Sequence, residues 1–405
     1  MNQRIEICSI QQKQIDNVLE VTFELLIKGN AHSLTYKISG GITEVPEICD
    51  AIVVTFLGYA VMHNLDFCST YPITKKLYYH LVKHVIPHLA FSNKTADTPI
   101  KIEMPLTDEV YCGKWVGTGI SMGVDSFTSI HEYMEDCILD EYKLTHLVHL
   151  KTGAHHGNLG YFDQEKEHEL FLLENAKVKQ YCEENGFDLV VIESNLFEIT
   201  NAEFGYNFDT THAFRNLGCI LLVQNYFNKY YYASGSNMDK FHLSLRGSMA
   251  YYDKWLLPYI SNDSLMLYSS NESKTRIQKT KYIAKYPDTY SKLHVCWRAT
   301  DNCGRCAKCI RTLVTLDVLG ELDKYTACFD VQYYIKHRKV HIAEVVLLRN
   351  KDIEYMEIYK YMREHGVKMP STLTMYKAAI GLVYMKVAEH GLSGFVKRVK
   401  NKFFR

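Results

Sequence analysis

From about Tyr111 onward the chain alternates between two hydrophobic rhythms, and this alternation restricts its fold more than any other feature. "KWVGTGI" reads as a short strand, "KLTHLVHL" (143–150) as a second and "FDLVVIES" (187–194) as a third, while "YYYASGS" (230–236) is a fourth that ends in a glycine turn. Between them, a segment running to about Leu139, "HELFLLENAKVKQYCEENG" (168–186) and "THAFRNLGCILLVQNYF" (211–227) read as helices; in the second, apolar residues recur at three- and four-residue steps. Strands at this spacing with helices between them imply an α/β fold with a doubly wound parallel sheet. The unbroken apolar run of the third strand suits a sheet covered on both faces. In such sheets ligands bind beyond the carboxyl ends of the strands.

One of those ends carries "SMGVDS", residues 121–126. Successive backbone N–H groups in a tight glycine turn form a concave nest that favours anions, and a following helix adds its positive end. Ser121 and Ser126 can donate to phosphate oxygens without adding charge. Asp125 cannot favour bare phosphate and makes sense beside one only with Mg²⁺ between them. Together Ser121, Met122, Gly123, Val124, Asp125 and Ser126 describe a candidate magnesium–nucleotide cradle. The turn is not a Walker loop, which needs a lysine before its Ser/Thr, and it lacks the three-glycine dinucleotide pattern. The competing reading is a surface turn built from common turn residues.

The second signal is "CWRATDNCGRCAKCIRT", with the spacing Cys296-x6-Cys303-x2-Cys306-x2-Cys309. Two residues between cysteines let both sulfurs reach one ion across a tight turn, and a cysteine upstream closes a four-sulfur tetrahedron suited to structural Zn²⁺. An iron–sulfur cluster and metal-free thiols are the alternatives; the ferredoxin arrangement, with a further cysteine shortly downstream and a proline after it, is absent. The other eight of the 12 cysteines are scattered singly, as small buried hydrophobes usually are. The amino terminus, "MNQRIEICSIQQKQID", lacks the apolar core of a signal peptide. A reducing, cytoplasmic setting is therefore expected, in which clustered thiols read as a metal site before disulfides.

The turn and the knuckle, in this order, resemble the PP-loop ATP pyrophosphatase superfamily, and within it the QueC-like branch related to 7-cyano-7-deazaguanine synthase. The superfamily's S-G-G-x-D-S loop is similar to "SMGVDS", with Met122 standing where the first loop glycine usually is. Methionine there would be costly if that position requires positive φ. "HAFRNLGCILL" looks like the branch's V-P-x-R-N followed by a helix, which puts Arg215 and Asn216 at matched positions. "ASGSNMDK" resembles its later glycine turn, with Gly235 and then Asp239. The resemblance covers roughly residues 111 to 320 and implies the adenine nucleotide alpha hydrolase-like fold, ATP and Mg²⁺ as cofactors, and cleavage of ATP to AMP and pyrophosphate. A carboxylate or amide substrate would be adenylated and then attacked by a nitrogen nucleophile. It places Asp125, Ser126 and Arg215 in catalysis, Ser121 through Ser126 with Asn216, Gly235 and Asp239 at the nucleotide, and the four cysteines on zinc.

Around this core the sequence suggests an N-terminal α+β region (1–110), a catalytic domain with its knuckle (111–325) and a helical basic C-terminal region (326–405). In the first, "VLEVTFELLI" and "SLTYKIS" form a hairpin, two helical segments follow, and "PIKIEMPL" closes as a strand. Lys274, Arg276 and Lys279 are candidates to close over the site or to form a solvated basic helix face, and His155 and His156 either contact ligand or lie on the surface. Lys+Arg and Asp+Glu each number 46, so charge offers no argument for nucleic acid. The longest apolar run, Ala51 to Met62, is too short for a spanning helix, which needs roughly 20 residues. The last twelve residues hold five basic residues and no acid, with Phe395, Val399 and Phe403 on one side of a helix. They are either a weak anchor on an anionic membrane or partner, or a solvated end packing its aromatics locally. A small molecule or a protein terminus serves equally as acyl substrate, and oligomeric state is left open. The alternatives in function are a PP-loop tRNA thiolase and a non-catalytic zinc-stabilised nucleotide-binding module.

Overall fold

A computed structural model describes residues 4–95, 99–154, 164–205, 207–297 and 299–383. His155, His156 and the basic tail with Phe395, Val399 and Phe403 lie outside the described residues. The chain forms two compact units, Met1–Lys274 and Thr275–Arg405. The division falls inside the expected catalytic stretch, and neither 110 nor 325 marks one.

The first unit opens with three long strands, β1 (Arg4–Ile15), β2 (Val18–Ile27) and β3 (Asn30–Ser39). β1 is a strand that the sequence did not announce. Its ladder with β2 slips between Ile7 and Ser9, so the inward set is Ile5, Ile7 and Ile10. The bulge breaks the period of two by which such a strand is recognised. β2 and β3 form the expected hairpin through Lys28 and Gly29, both at positive φ, the backbone a two-residue turn requires.

Then come α1 (Asp50–His63), β4 (Asp66–Ser69), β5 (Ile73–Thr74), α2 (Lys75–His80), α3 (Ile86–Asn93), β6 (Ile102–Glu103) and β7 (Leu106–Thr107). The expected closing strand is thus two short pieces, β6 beside β4 and β7 beside β5. α1 is buried from Asp50 through Val61, as an all-round apolar helix must be. Its one acid, Asp50, accepts from Thr74 N and Oγ1 at 2.9 and 2.8 Å and from Asn262 Nδ2 at 3.1 Å. Burial raises that carboxyl above its usual range, against those hydrogen bonds.

The alternating stretch supplies β8 (Trp115–Gly119), α4 (Val124–Glu132), β9 (His146–Lys151), α5 (Gln164–Asn185), β10 (Asp188–Ser194), α6 (Leu196–Phe204), α7 (Phe208–Leu222), β11 (Phe227–Ala233), α8 (Asp253–Ile260) and β12 (Met266–Ser270). α4 stops at Glu132, well short of Leu139. Glu132, Glu135 and Asp136 would crowd negative charge onto a helix carboxyl end, where the macrodipole opposes it.

The sheet order is β12-β11-β8-β9-β10-β3-β2-β1-β4-β6. The five strands of the alternating stretch pair in parallel, and their sequence order reverses direction between β8 and β11. β10 continues antiparallel onto β3, so the amino-terminal strands extend the same sheet and bury a common core. α7 lies close on α1 because residue 218 is glycine: a Cβ there would sit 2.0 Å from Thr55 Oγ1 and 2.8 Å from the Ala51 carbonyl. No helix among the described residues is long and apolar enough to cross a membrane.

The second unit is helical: α9 (Arg276–Ile283), α10 (Thr289–Lys292), α11 (Ala307–Leu319), α12 (Val331–Leu348) and α13 (Ile353–Glu364), with a further helix over 372–383. A capping box opens α9, the Thr275 side chain accepting from Gln278 N and the Gln278 side chain from Thr275 N.

Candidate functional site

The 121–126 turn leaves β8 at the point where the strand order reverses, the position at which open α/β sheets form a crevice. Ile120, Val124, Phe127 and Ile130 are buried and seat the turn and α4 on the sheet. Ser121 is exposed, and its Oγ donates to Ser126 Oγ at 3.5 Å. Ser126 Oγ donates to the Gly123 carbonyl at 3.1 Å. The residue capping α4 is Gly123, which supplies no side-chain acceptor, so the first-turn amides are met by no N-cap side chain. Half-buried Asp125 stands in that turn.

Met122 has φ 54° and is 4 % exposed. The substituted loop position therefore does require the left-handed region, and a methionine occupies it. That conformation costs a non-glycine residue about 1–3 kcal/mol, whereas deleting a buried Met side chain costs about 2–5 kcal/mol. Packing outweighs strain, which gives an inverted order of stabilities. Met122→Ala keeps the strain and loses the packing, while Met122→Gly loses both. The glycine variant is expected to be the more stable of the two by about 1 kcal/mol, reversing the ordinary ranking. Urea unfolding of the pair checks this, and an alanine variant as stable as the glycine one contradicts the strained turn.

The carboxyl end of β12 holds α4 from the side, by residues that sequence reasoning missed. Asn271, at φ 74° and buried, donates through Nδ2 to the Asp125 carbonyl at 2.9 Å and to Ser129 Oγ at 3.0 Å. Ser129 and Ser270 share a short hydroxyl hydrogen bond, and Lys274 Nζ pairs with Glu132 at 2.8 Å. Lys274 is thus engaged on α4; Arg276 pairs with Glu354 at 3.1 Å, and Lys279 is buried.

The exit of β11 adjoins that of β8, since the two strands pair directly. Ser234 Oγ donates to Asp253 at 2.8 Å, and Lys254 Nζ donates to the carbonyls of Ser236 and Asn237, each at 3.0 Å. Gly235 at the tip is exposed, as is Asp239 on a single 3-10 turn at 238–240.

Arg215 is fully enclosed at 0 % exposure. Its Nη1 donates to the Thr152 carbonyl at 2.6 Å, and the guanidinium lies 5.3 Å from the Phe208 ring. Asn216 Oδ1 accepts from Thr152 Oγ1 at 2.7 Å. Both matched residues therefore grip the exit of β9. On the same helix, burial and the Arg215 charge push His212 down to about 3, so it is neutral at pH 7 and adds no like charge beside Arg215. Its Nδ1 hydrogen-bonds the Tyr232 hydroxyl at 2.9 Å.

In the second unit the sulfurs of Cys296, Cys303, Cys306 and Cys309 all lie within 4.8 Å of one another. Two pairs, Cys303–Cys309 and Cys296–Cys306, are 4.0 Å apart. A zinc–sulfur length of about 2.3 Å implies tetrahedral edges of about 3.8 Å, so a slight contraction would close the cage on zinc. The Cys306 amide donates to Cys303 Sγ at 3.3 Å and the Cys309 amide to Cys306 Sγ at 3.5 Å. Gly304, at φ 65°, makes the bend between them. Cys306 caps α11, whose positive end favours thiolate. Asn302, also missed in the sequence, accepts at Oδ1 from the amides of Val295 and Cys296 at 2.9 and 3.2 Å and donates through Nδ2 to Leu293 O at 2.8 Å. It fixes the upstream arm of the knuckle. All four thiols could serve one ion, and an ion held by all four would keep no open position.

The strand exits and the knuckle thus belong to different units, the first at the sheet reversal and the second in the helical part. No protein-family model, no curated protein and no solved structure matches the chain.

Proposed function

We propose that this chain is an ATP pyrophosphatase-type ligase that adenylates a carboxylate or amide substrate and joins nitrogen to it. The observation that carries the reading is the Ser121–Ser126 turn, which leaves the central parallel strand at the sheet reversal and holds Met122 at φ 54°. Strain of that kind persists where the surroundings over-determine it, commonly at ligand clamps. In this reading a triphosphate would follow the bend so made, with the first turn of α4, which has no side-chain cap, behind it.

In the proposed reaction a substrate oxygen attacks the α-phosphorus of ATP, the bond to the β-bridging oxygen breaks, and pyrophosphate leaves with that electron pair. A nitrogen nucleophile then attacks the activated carbon, and AMP departs. The turn amides, Ser121 and Ser126 would bind the departing pyrophosphate, whose charge builds in the transition state. Asp125 would hold Mg²⁺, which supplies neutralisation of that charge. Arg215, being enclosed, acts in this reading as a positioning residue for the exit of β9. The tight set of four thiols supports a structural role for zinc apart from the chemistry.

Incubated with α-labelled ATP, Mg²⁺ and a panel of carboxylic acids, the full chain is expected to release AMP and pyrophosphate in equal amounts. Asp125→Asn should lower that release by roughly 10²–10³-fold while leaving the fold intact. Release of ADP and phosphate, or an Asp125→Asn variant as active as the parent, overturns the reading.

A further inference from the structure

We infer that the helix over 372–383 is a docking face for an anionic lipid surface. Leu373, Tyr376, Ile380 and Val383 are each half or more exposed. At steps of three, four and three residues they fall on one stripe of the helix, while Ala378 is buried on the side turned inward. Single exposed apolar residues are ordinary; four aligned over about 15 Å of one helix are a surface in want of a cover.

The charge of the sequence that carries the stripe names the cover. Residues 368–405 contain eight Lys/Arg against one acid, in a chain whose total charge is zero. Lys377 lies beside the stripe and is exposed. Aliphatic side chains that enter an acyl boundary, with basic residues at the level of the phosphates and a tyrosine between, are the composition of an interfacial helix. The two other occupants suit the chemistry less well. A nucleic acid would meet the charge but leave Leu, Ile and Val against phosphate and water, without the aromatic platform that bases stack on. A second copy would cover the stripe but bring two strongly basic ends together.

The test uses the full chain and sedimenting vesicles, of phosphatidylcholine alone or with about a third phosphatidylserine. The expected result is binding to the anionic vesicles, at least tenfold weaker to neutral ones and at about 0.5 M salt. Ile380→Glu and Tyr376→Glu, both at exposed positions, should each weaken binding about tenfold with an unchanged circular dichroism spectrum. Leu373→Glu serves as a third variant should either lose its fold. Reversing Lys397, Arg398, Lys400 and Lys402 to Glu should abolish binding. The inference is overturned if the parent chain stays in solution with anionic vesicles, or if the stripe variants bind as well as the parent. It is equally overturned if those variants instead dissolve a lipid-free dimer or cancel binding to an RNA oligomer.

Discussion

Removing the metal from the purified chain is expected to unfold the knuckle and destabilise the helical unit that contains it. Metal analysis should find one zinc per chain, lost on treatment with a strong chelator or on Cys306→Ser. Structural zinc contributes apparent free energies of about 10–16 kcal/mol in small peptides that have little else to hold them. The unit here has a core of its own, including Leu313, Val314, Leu316, Tyr334, Ile342 and Ile358, so the loss should be smaller. A cost of several kcal/mol still rivals the roughly 5–15 kcal/mol that holds a whole domain. Cys306 is the telling position because its thiol does two jobs, contributing to the cage and accepting from the Cys309 amide at the start of α11. Hydrogen bonding to Cys296 pushes the Cys306 thiol up to about 11, and Cys309 is raised by the same crowding. Metal must displace those protons, so zinc affinity should rise with pH. Proteolysis should then cut the apo chain first between 293 and 309. An unchanged melting curve after complete removal of zinc, or iron in place of zinc, contradicts the structural zinc site.

Arg215→Ala is the second large effect. The side chain is wholly enclosed, and its bond to the Thr152 carbonyl is short. Truncation removes a charge-assisted hydrogen bond of about 1.5–3 kcal/mol and the stacking on Phe208, and it leaves a cavity. Relief from burying a charge acts the other way, which is why replacing such groups with apolar isosteres is milder than deleting them. The expected loss is about 3–5 kcal/mol for Arg215→Ala, less for Arg215→Met. Arg215→Lys should rescue little, because an ammonium cannot reproduce the planar fork. Denaturant unfolding measures the loss, and hydrogen exchange should show the amides around 150–154 opening first. An alanine variant within 1 kcal/mol of the parent would show that the guanidinium is not what holds the exit of β9.

Much of the alternating stretch could be read without coordinates. The runs at 143–150, 187–194 and 230–236 are strands within a few residues, the segment at 168–186 is a helix, and that at 211–227 is a helix as far as Leu222, with Phe227 already in β11. The four-thiol cluster was equally legible, since its cysteines sit within fourteen residues at a spacing suited to bringing four sulfurs together. β12 was not seen. Its five residues, "MLYSS", carry too short an apolar run to stand out, and its role in seating α4 depends on Asn271 and Ser270 meeting residues more than 140 positions earlier. The separate amino-terminal region was expected because its rhythm differs from that of the strands and helices after Tyr111. In the structure β3 pairs with β10, and that pairing leaves no trace in either segment's composition.

Met122 shows both sides of this division. That the position departs from a glycine pattern is visible in the sequence; that its backbone is left-handed all the same, with the side chain buried, is visible only in the fold.

Taken by itself, the amino-acid order determined the alternation of strand and helix, the turn at 121–126 and the four-thiol cluster, because each is a matter of local period or spacing. Only the tertiary structure decided that one sheet runs through both the amino-terminal and the alternating strands, that Arg215 faces inward to a carbonyl, and that Asn271 and Asn302 brace the two sites. Those outcomes come from competition among distant segments for the same buried partners, and burying a polar group is favourable only where its partner waits.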